Sequence, residues 1–247
     1  MSLVTRDPIT PASAGWSYVG FEALRLDGAV ERETGDGELC LVVIAGTCSV
    51  RSDHGEWRGL GGRPDPFSGK PDAAYLPPGT RFVLEGEAEV GLCTAPARGG
   101  APARVLPGDA VQPETRGHGA YERTVHPILM GDQAADSLLV SETLTPPGNW
   151  SSYPPHKHDR QAMPEESLLE ETYHHRISPP QGFAFQRVYT ADGSLDETVT
   201  VRDGDTVLVP RGYHTVAAPP GYALYYLNVM AGPERVWAVA DDPDHLR

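Results

Sequence analysis

Gly204-Asp205-Thr206-Val207-Leu208-Val209-Pro210-Arg211-Gly212-Tyr213-His214 is a short apolar run that ends in a Pro-x-Gly turn, with a histidine just beyond it. Four consecutive residues of strand-forming type, closed by turn residues, read as one β-strand and the start of the next. An earlier stretch, Tyr75-Leu76-Pro77-Pro78-Gly79-Thr80-Arg81, aligns with it turn for turn. Where the later copy has His214, the earlier has Arg81. An internal repeat of this kind points to two related β units. Arg81 is expected to fill the place of a missing site in the first.

The rest of the chain has the same texture. Glu38–Ile44, Ala74–Leu76, Ala88–Leu92, Ser137–Leu144, Phe183–Thr190, Thr206–Val209 and Leu224–Val229 are short, rich in Val, Leu, Ile, Tyr or Phe, and bounded by turns such as Pro146-Pro147-Gly148 and Pro219-Pro220-Gly221. The 27 glycines and 24 prolines are spread along the chain, as many tight turns require. This predicts an all-β sandwich or barrel. Only Met163–Leu169 is expected to carry a helical turn. A polar, glycine-containing stretch at Arg116–Tyr121 suggests a division into residues 1–118 and 119–247.

Composition excludes several function classes. Net charge is −14, which disfavours nucleic acid as a partner. No run approaches the ~20 apolar residues of a membrane span, and Met1–Thr10 has no apolar signal region, so a cytoplasmic location is expected. Cys40, Cys48 and Cys93 are odd in number, lie in apolar runs and form no CxxC pair; buried free thiols are expected. An acidic chain acting on an acidic small molecule would need a local cation in its pocket. Exposed β edges permit a homo-oligomer.

Five of the nine histidines, His156, His158, His174, His175 and His214, fall in one part of the second half. His156-Lys157-His158 on a strand puts two imidazoles on one face, because side chains alternate with period two. Glu170 or Glu171 can add a carboxylate from the next strand-like stretch, and His214 a third imidazole. The same alternation groups Glu171 with Tyr173 and His175, and Glu170 with Thr172 and His174; Glu171 is the preferred ligand. His54, His118, His126 and His245 are read as structural or surface histidines.

The arrangement resembles the two-part cupin signature: a glycine-rich lead-in, His-x-His, a downstream Glu, then Gly204 through Pro210-x-Gly212 to His214. It departs from the usual form in a longer interval between His158 and Glu171 and a shorter one between Gly212 and His214. Arg160–Ser167 is expected to loop out within the first. The resemblance implies a bicupin of two β-barrel or jelly-roll domains, the N-terminal one degenerate.

A closer likeness runs through Gly148–Asp159, Leu169–Arg176, Pro179–Thr190, Val209–His214 and Leu224–Pro233, and more thinly through Asp65–Gly69 and Tyr75–Thr80. These stretches resemble the 5-deoxy-glucuronate isomerases of myo-inositol catabolism. The related uronate isomerase of pectin breakdown places Glu two residues before Tyr, as Glu171 precedes Tyr173 here. The resemblance implies conversion of 5-deoxy-D-glucuronate, an aldose acid, to the ketose 5-dehydro-2-deoxy-D-gluconate. It also implies one divalent metal ion per chain on His156, His158, Glu171 and His214: zinc first, with manganese, iron or nickel compatible with the same donors.

Lys157, Glu170 and Tyr173 are the candidates for moving the proton between C1 and C2, with a hydride shift as the other route. Arg187 is the candidate clamp for the substrate carboxylate, ahead of Arg176 and Arg211. Gln186 and Tyr189 are candidates for holding sugar hydroxyls. The competing readings are isomerisation of another uronate, 5-dehydro-4-deoxy-D-glucuronate, an iron-dependent cupin dioxygenase, and a non-enzymatic sugar-acid binder.

Overall fold

A computed structural model describes residues 2–246. Strand dominates; the helical pieces are the single turn Pro11–Ala14 and three short 3-10 segments. The chain divides into two compact units.

The first unit comprises Asp7–Gln112 and Pro127–Val140. Its sheet orders the strands Gly20–Glu33, Arg81–Pro96, Gly37–Ser52, Ala73–Leu76 and Arg104–Leu106, with Gly55–Gly61 also pairing on Gly37–Ser52. The Gly37–Ser52 strand carries a bulge between Val43 and Ala45. Gly46, just beyond it, has φ +81°, and a Cβ there would lie 2.3 Å from the Glu87 carbonyl oxygen, so only glycine fits this close approach.

Leu39, Leu41, Val43, Val50, Leu76, Leu84 and Val90 alternate inward and fill the interior with apolar side chains. Arg81 is not among them. It is exposed at the start of its strand, so the interior of this unit is filled by aliphatic groups and not by the arginine. The three cysteines are buried and free, and burial pushes the Cys48 thiol up to about 11.

A buried carboxylate ties Pro127–Val140 to this unit. Glu38, fully buried, accepts the Tyr75 hydroxyl at 2.6 Å and the backbone N–H groups of Asp136, Ser137 and Leu138 at 2.7–2.9 Å. Four donors satisfy a charge that would be costly to bury alone. A single cut at 118/119 differs from this partition, because nothing in the local sequence signals that a distant glutamate holds the 136–138 backbone.

The second unit comprises the described residues up to Arg6, Pro113–His126, and the described residues from Ser141 on. One sheet places Val4–Thr5, Thr206–Val209, Glu170–Ser178, Ala223–Ala231 and Leu139–Thr145 side by side. The other orders Asp196–Arg202, Phe183–Tyr189, Tyr213–Ala217, Trp150–Lys157 and Ala240–Asp241. Apolar side chains of both sheets, among them Tyr173, Ile177, Val207, Ala184, Val188 and Val216, form one buried cluster.

Met163–Leu169 is not helical. Asp159–Ala162 and Glu166–Leu168 pair as a small hairpin with its turn between them. Glu166 pins it: the buried carboxylate accepts from Lys157 Nζ at 2.7 Å, from the backbone N–H of Asp159 and Arg160, and from the Arg160 guanidinium. These polar anchors, rather than apolar periodicity, decide the local structure.

Candidate metal centre

Strand register brings the three histidines together. His156 pairs directly with His214 across the Trp150–Lys157 and Tyr213–Ala217 strands, and His158 follows two residues later on the same side. Gly212 makes the approach to His214 possible: with φ +86°, a Cβ there would meet the Tyr189 carbonyl oxygen at 2.3 Å. Ring centroids lie 4.6 Å apart for His156 and His214, 5.2 Å for His158 and His214, and 6.2 Å for His156 and His158. One nitrogen from each converges within 4.8 Å of the others.

Backbone carbonyls set which nitrogen faces inward. His158 Nδ1 lies 3.0 Å from the Leu169 oxygen, His214 Nδ1 3.3 Å from the Gly212 oxygen, and His156 Nδ1 3.4 Å from the Pro154 oxygen. A carbonyl only accepts, so each Nδ1 carries a proton; the neutral rings of His156 and His214 keep a lone pair on Nε2, whereas His158 Nε2 also faces an acceptor, Glu171 Oε2, at 3.0 Å.

Glu171 completes the cluster. Its Oε2 lies 3.0 Å from both His158 Nε2 and His214 Nε2, while Oε1 accepts Asn228 Nδ2 at 2.7 Å. Glu170, on the opposite face of the strand, is directed away from these atoms: Glu171 is buried and Glu170 half-buried.

The electrostatics follow from proximity. Burial, then the neighbouring His214 and His158, hold His156 well below the usual imidazole range. Burial would lower His158 too, but the Glu171 hydrogen bond and charge outweigh it and raise that imidazole. For Glu171, burial favours the neutral acid, and the adjacent His214 and His158 overcome it and keep the carboxylate ionised. His214 Nε2 has no hydrogen-bond partner of acceptable geometry although Glu171 is beside it. An unpartnered buried nitrogen facing a carboxylate oxygen is an arrangement that a cation would satisfy. The donor set thus fits a divalent ion.

Tyr173 also faces the interior. Its ring is 5.7 Å from the His214 ring and its hydroxyl 3.1 Å from Ser152 Oγ. Burial, then the Glu171 charge, push the phenol well above its ordinary range. Beside it, His175 Nε2 donates to Gln186 Oε1 at 3.0 Å, and burial pushes His175 down to about 3. Tyr226, opposite His175 in register, reaches Ser151 Oγ at 2.5 Å.

Two candidates lie elsewhere. Lys157 Nζ is held by Asp159 at 2.8 Å and Glu166 at 2.7 Å, on the side of its strand away from His156 and His158. Arg187 alternates with the inward-facing Gln186 and Val188 and so emerges on the outer face, paired with Asp196 through two bonds of 2.8 Å and stacked 4.0 Å above Tyr189. There it lines a cleft of about 780 Å³ with Trp150, Tyr153 and Phe185. The structure thus places Arg187 on the face of the strand opposite Val188, which pairs with His214.

Sequence reasoning passed over Asn228, read Tyr226 as a core or rim residue of its strand, and passed over the His126–Glu142 pair and Arg123. Alternation from Glu171 across to the Ala223–Ala231 strand could have found the first two. His126, expected to be structural or on the surface, is buried and bonded to Glu142 at 2.7 Å. Arg123, in a segment with no motif, donates from Nη1 to the carbonyls of Tyr121 and Tyr153 at 3.1 Å.

With this geometry in hand, the KduI/IolB family description matches residues 5–247. The chain belongs to the KduI/IolB family. It is 51% identical over 242 residues to a protein named 5-deoxy-glucuronate isomerase from Geobacillus thermodenitrificans, covering 96% of this chain and 88% of that one. A protein of the same name from Bacillus subtilis strain 168 is 44% identical over 243 residues, covering 96% and 90%. The crystal structure of an IolB-like protein from Salmonella typhimurium LT2 superposes with a TM-score of 0.96 at 42% identity, covering 100% of this chain and 98% of that one. Oxalate decarboxylase of Bacillus subtilis matches in fold alone, with a TM-score of 0.63 at 15% identity over 95% of this chain and 74% of that one. The architecture is an all-β bicupin. In this KduI/IolB chain the extra length between His158 and Glu171 is the hairpin at Asp159–Leu168, folded back so that Leu169 still reaches His158.

Proposed function

We propose that this chain is a metal-dependent aldose–ketose isomerase that converts 5-deoxy-D-glucuronate to 5-dehydro-2-deoxy-D-gluconate in inositol catabolism. The observation that carries the metal site is the convergence of three carbonyl-oriented imidazoles on one another, two of them 3.0 Å from the Glu171 carboxylate, in a chain half identical to proteins named for this reaction. We assign the work to the cytoplasm, where thiols such as Cys40, Cys48 and Cys93 stay reduced.

His156, His158, His214 and Glu171 hold one divalent ion, for which zinc is our choice within a donor set that also suits manganese, iron and nickel. When bound, the ion supplies Lewis acidity that draws charge onto the aldehyde oxygen and its neighbouring hydroxyl. Asn228 fixes the rotamer of Glu171 through its 2.7 Å bond. The C2 hydrogen crosses to C1, as a proton or as a hydride, while Tyr173, kept protonated by burial, gives its phenolic proton to the aldehyde oxygen that becomes a hydroxyl and recovers one from the C2 hydroxyl that becomes a carbonyl. Ser152 holds that phenol in place. Tyr173, His175 and Tyr226 surround the inner face with ring surfaces that exclude water.

The test is turnover of 5-deoxy-D-glucuronate by metal-loaded protein, followed through loss of the aldehyde proton signal in NMR. No turnover, or faster turnover of 5-dehydro-4-deoxy-D-glucuronate, overturns the assignment. Solvent deuterium appearing in the product separates proton transfer from a hydride shift.

A further inference from the structure

We propose that Arg123 binds the carboxylate of the sugar acid, an assignment that rests on the isomerase reading above. Four observations lead there. Nη1 of Arg123 spends its donors on the carbonyl oxygens of Tyr121 and Tyr153, both at 3.1 Å. Its Nε and Nη2 have no partner among the described residues, and those two atoms form the edge of a guanidinium that grips a carboxylate through two parallel bonds. No carboxylate among the described residues pairs with it. The neighbouring cations are already neutralised: Arg116 by Glu114, Arg176 by Asp203, Arg187 by Asp196, Lys157 by Asp159 and Glu166.

Position supports the same conclusion. Tyr153, whose carbonyl holds Arg123, lies three residues before His156 on the strand that carries the cluster. Its own strand, Arg123–Leu129, belongs to the sheet that carries Glu171 and Tyr173, and the Tyr173 ring stands 5.7 Å from that of His214. Burial of Arg123 lowers its hold on its proton, so the charge is partly stripped of water without a counter-charge to replace it. Such a charge is costly to keep unless an anion arrives to meet it. In a chain of net charge −14, this is the local cation that an acidic substrate needs.

The experiment compares wild type with Arg123→Met and Arg123→Lys. Each is assayed on 5-deoxy-D-glucuronate and on the same sugar with its carboxylate reduced to a primary alcohol, with metal content measured in parallel. Loss of two charge-assisted bonds predicts that the acid-over-alcohol preference in kcat/KM collapses about 10- to 100-fold in Arg123→Met, mainly through KM, with metal content unchanged. Arg123→Lys keeps a point charge without the fork and is expected to lose part of the preference; if the Met variant does not fold, the Lys variant decides.

An equal fall on both substrates, loss of metal, or an unchanged preference overturns the proposal, because a brace for the Tyr121 and Tyr153 carbonyls would give one of those patterns. If wild type turns over neither substrate, the isomerase reading itself has failed. Competition for binding by D-glucuronate in wild type but not in Arg123→Met would then still show the arginine to be a carboxylate site, and equal binding to both would refute it.

Discussion

His214 Nε2 lies 3.0 Å from Glu171 Oε2 with no proton placed to join them, because the proton of His214 is directed from Nδ1 to the Gly212 carbonyl. Two lone pairs at that separation repel unless a cation sits with them. His214→Ala and His156→Ala are therefore expected to lose bound metal and isomerisation together. Metal analysis of dialysed protein beside the NMR assay checks this, and full occupancy with full activity in either variant defeats the ligand assignment. Because binding to the native state adds to folding stability, wild-type Tm should fall on chelation and the His214→Ala Tm should not respond.

Glu171→Gln and Glu170→Gln separate the two neighbours. Glu171 shares a face with Tyr173 and His175 and reaches two imidazoles; Glu170 pairs with Ala231 on the opposite face. Loss of metal and activity is expected for the first and activity within about threefold of wild type for the second, since substitutions away from a site are usually mild. The reverse pattern in a metal titration would mean that the strand is out of register with this description.

Asn228 provides a finer test. It touches no imidazole and acts by holding Glu171 Oε1 at 2.7 Å. Asn228→Ala is expected to weaken metal affinity by about 10- to 100-fold, the usual cost of losing such a supporting hydrogen bond. Affinity measured against a competing chelator gives the number. An unchanged value would show that Glu171 needs no support.

The parts of this site that were legible in the sequence are those fixed by local periodicity. Period-two alternation joins His156 to His158 and puts Glu171 and Glu170 on opposite faces without saying which is inner, and the Pro210-x-Gly212 turn delivers His214. What failed depends on contacts between distant segments. Arg187 is suitably typed and lies in a strand-forming run, yet one residue of alternation decides its face, and the turn residues around it do not reveal which face is inner. Arg123 carries no motif at all; it matters because the Tyr153 carbonyl 30 positions later lies beside it. The hairpin at Asp159–Leu168 formed through a buried carboxylate, Glu166, whose partners no hydrophobic pattern announces.

Arg187→Ala is expected to leave kcat/KM for the sugar acid within about threefold of wild type. Its guanidinium is on the outer face and bound to Asp196 in an exposed pair, and such pairs contribute about 0–1 kcal/mol. A drop of a hundredfold in KM-limited turnover would place the substrate carboxylate on the outer face and count against Arg123.

His175 should make the fold acid-sensitive. Burial lowers its pKa to about 3 from an ordinary value of 6.5, so below 6.5 the unfolded chain takes up a proton that the native state refuses. Stability then falls as pH drops from 6.5 toward 3, and the group contributes nothing to the slope above 6.5. At 1.36 kcal/mol per unit, the loss between pH 6.5 and 4 is on the order of 3 kcal/mol. Metal ligands titrate in the same range, so the comparison is made on chelated protein, wild type against His175→Gln, by urea unfolding at pH 7 and pH 4. The Gln variant is expected to lose less stability on acidification than wild type by an amount of that order. Parallel losses in the two proteins would assign the acid sensitivity to His156 and its neighbours instead.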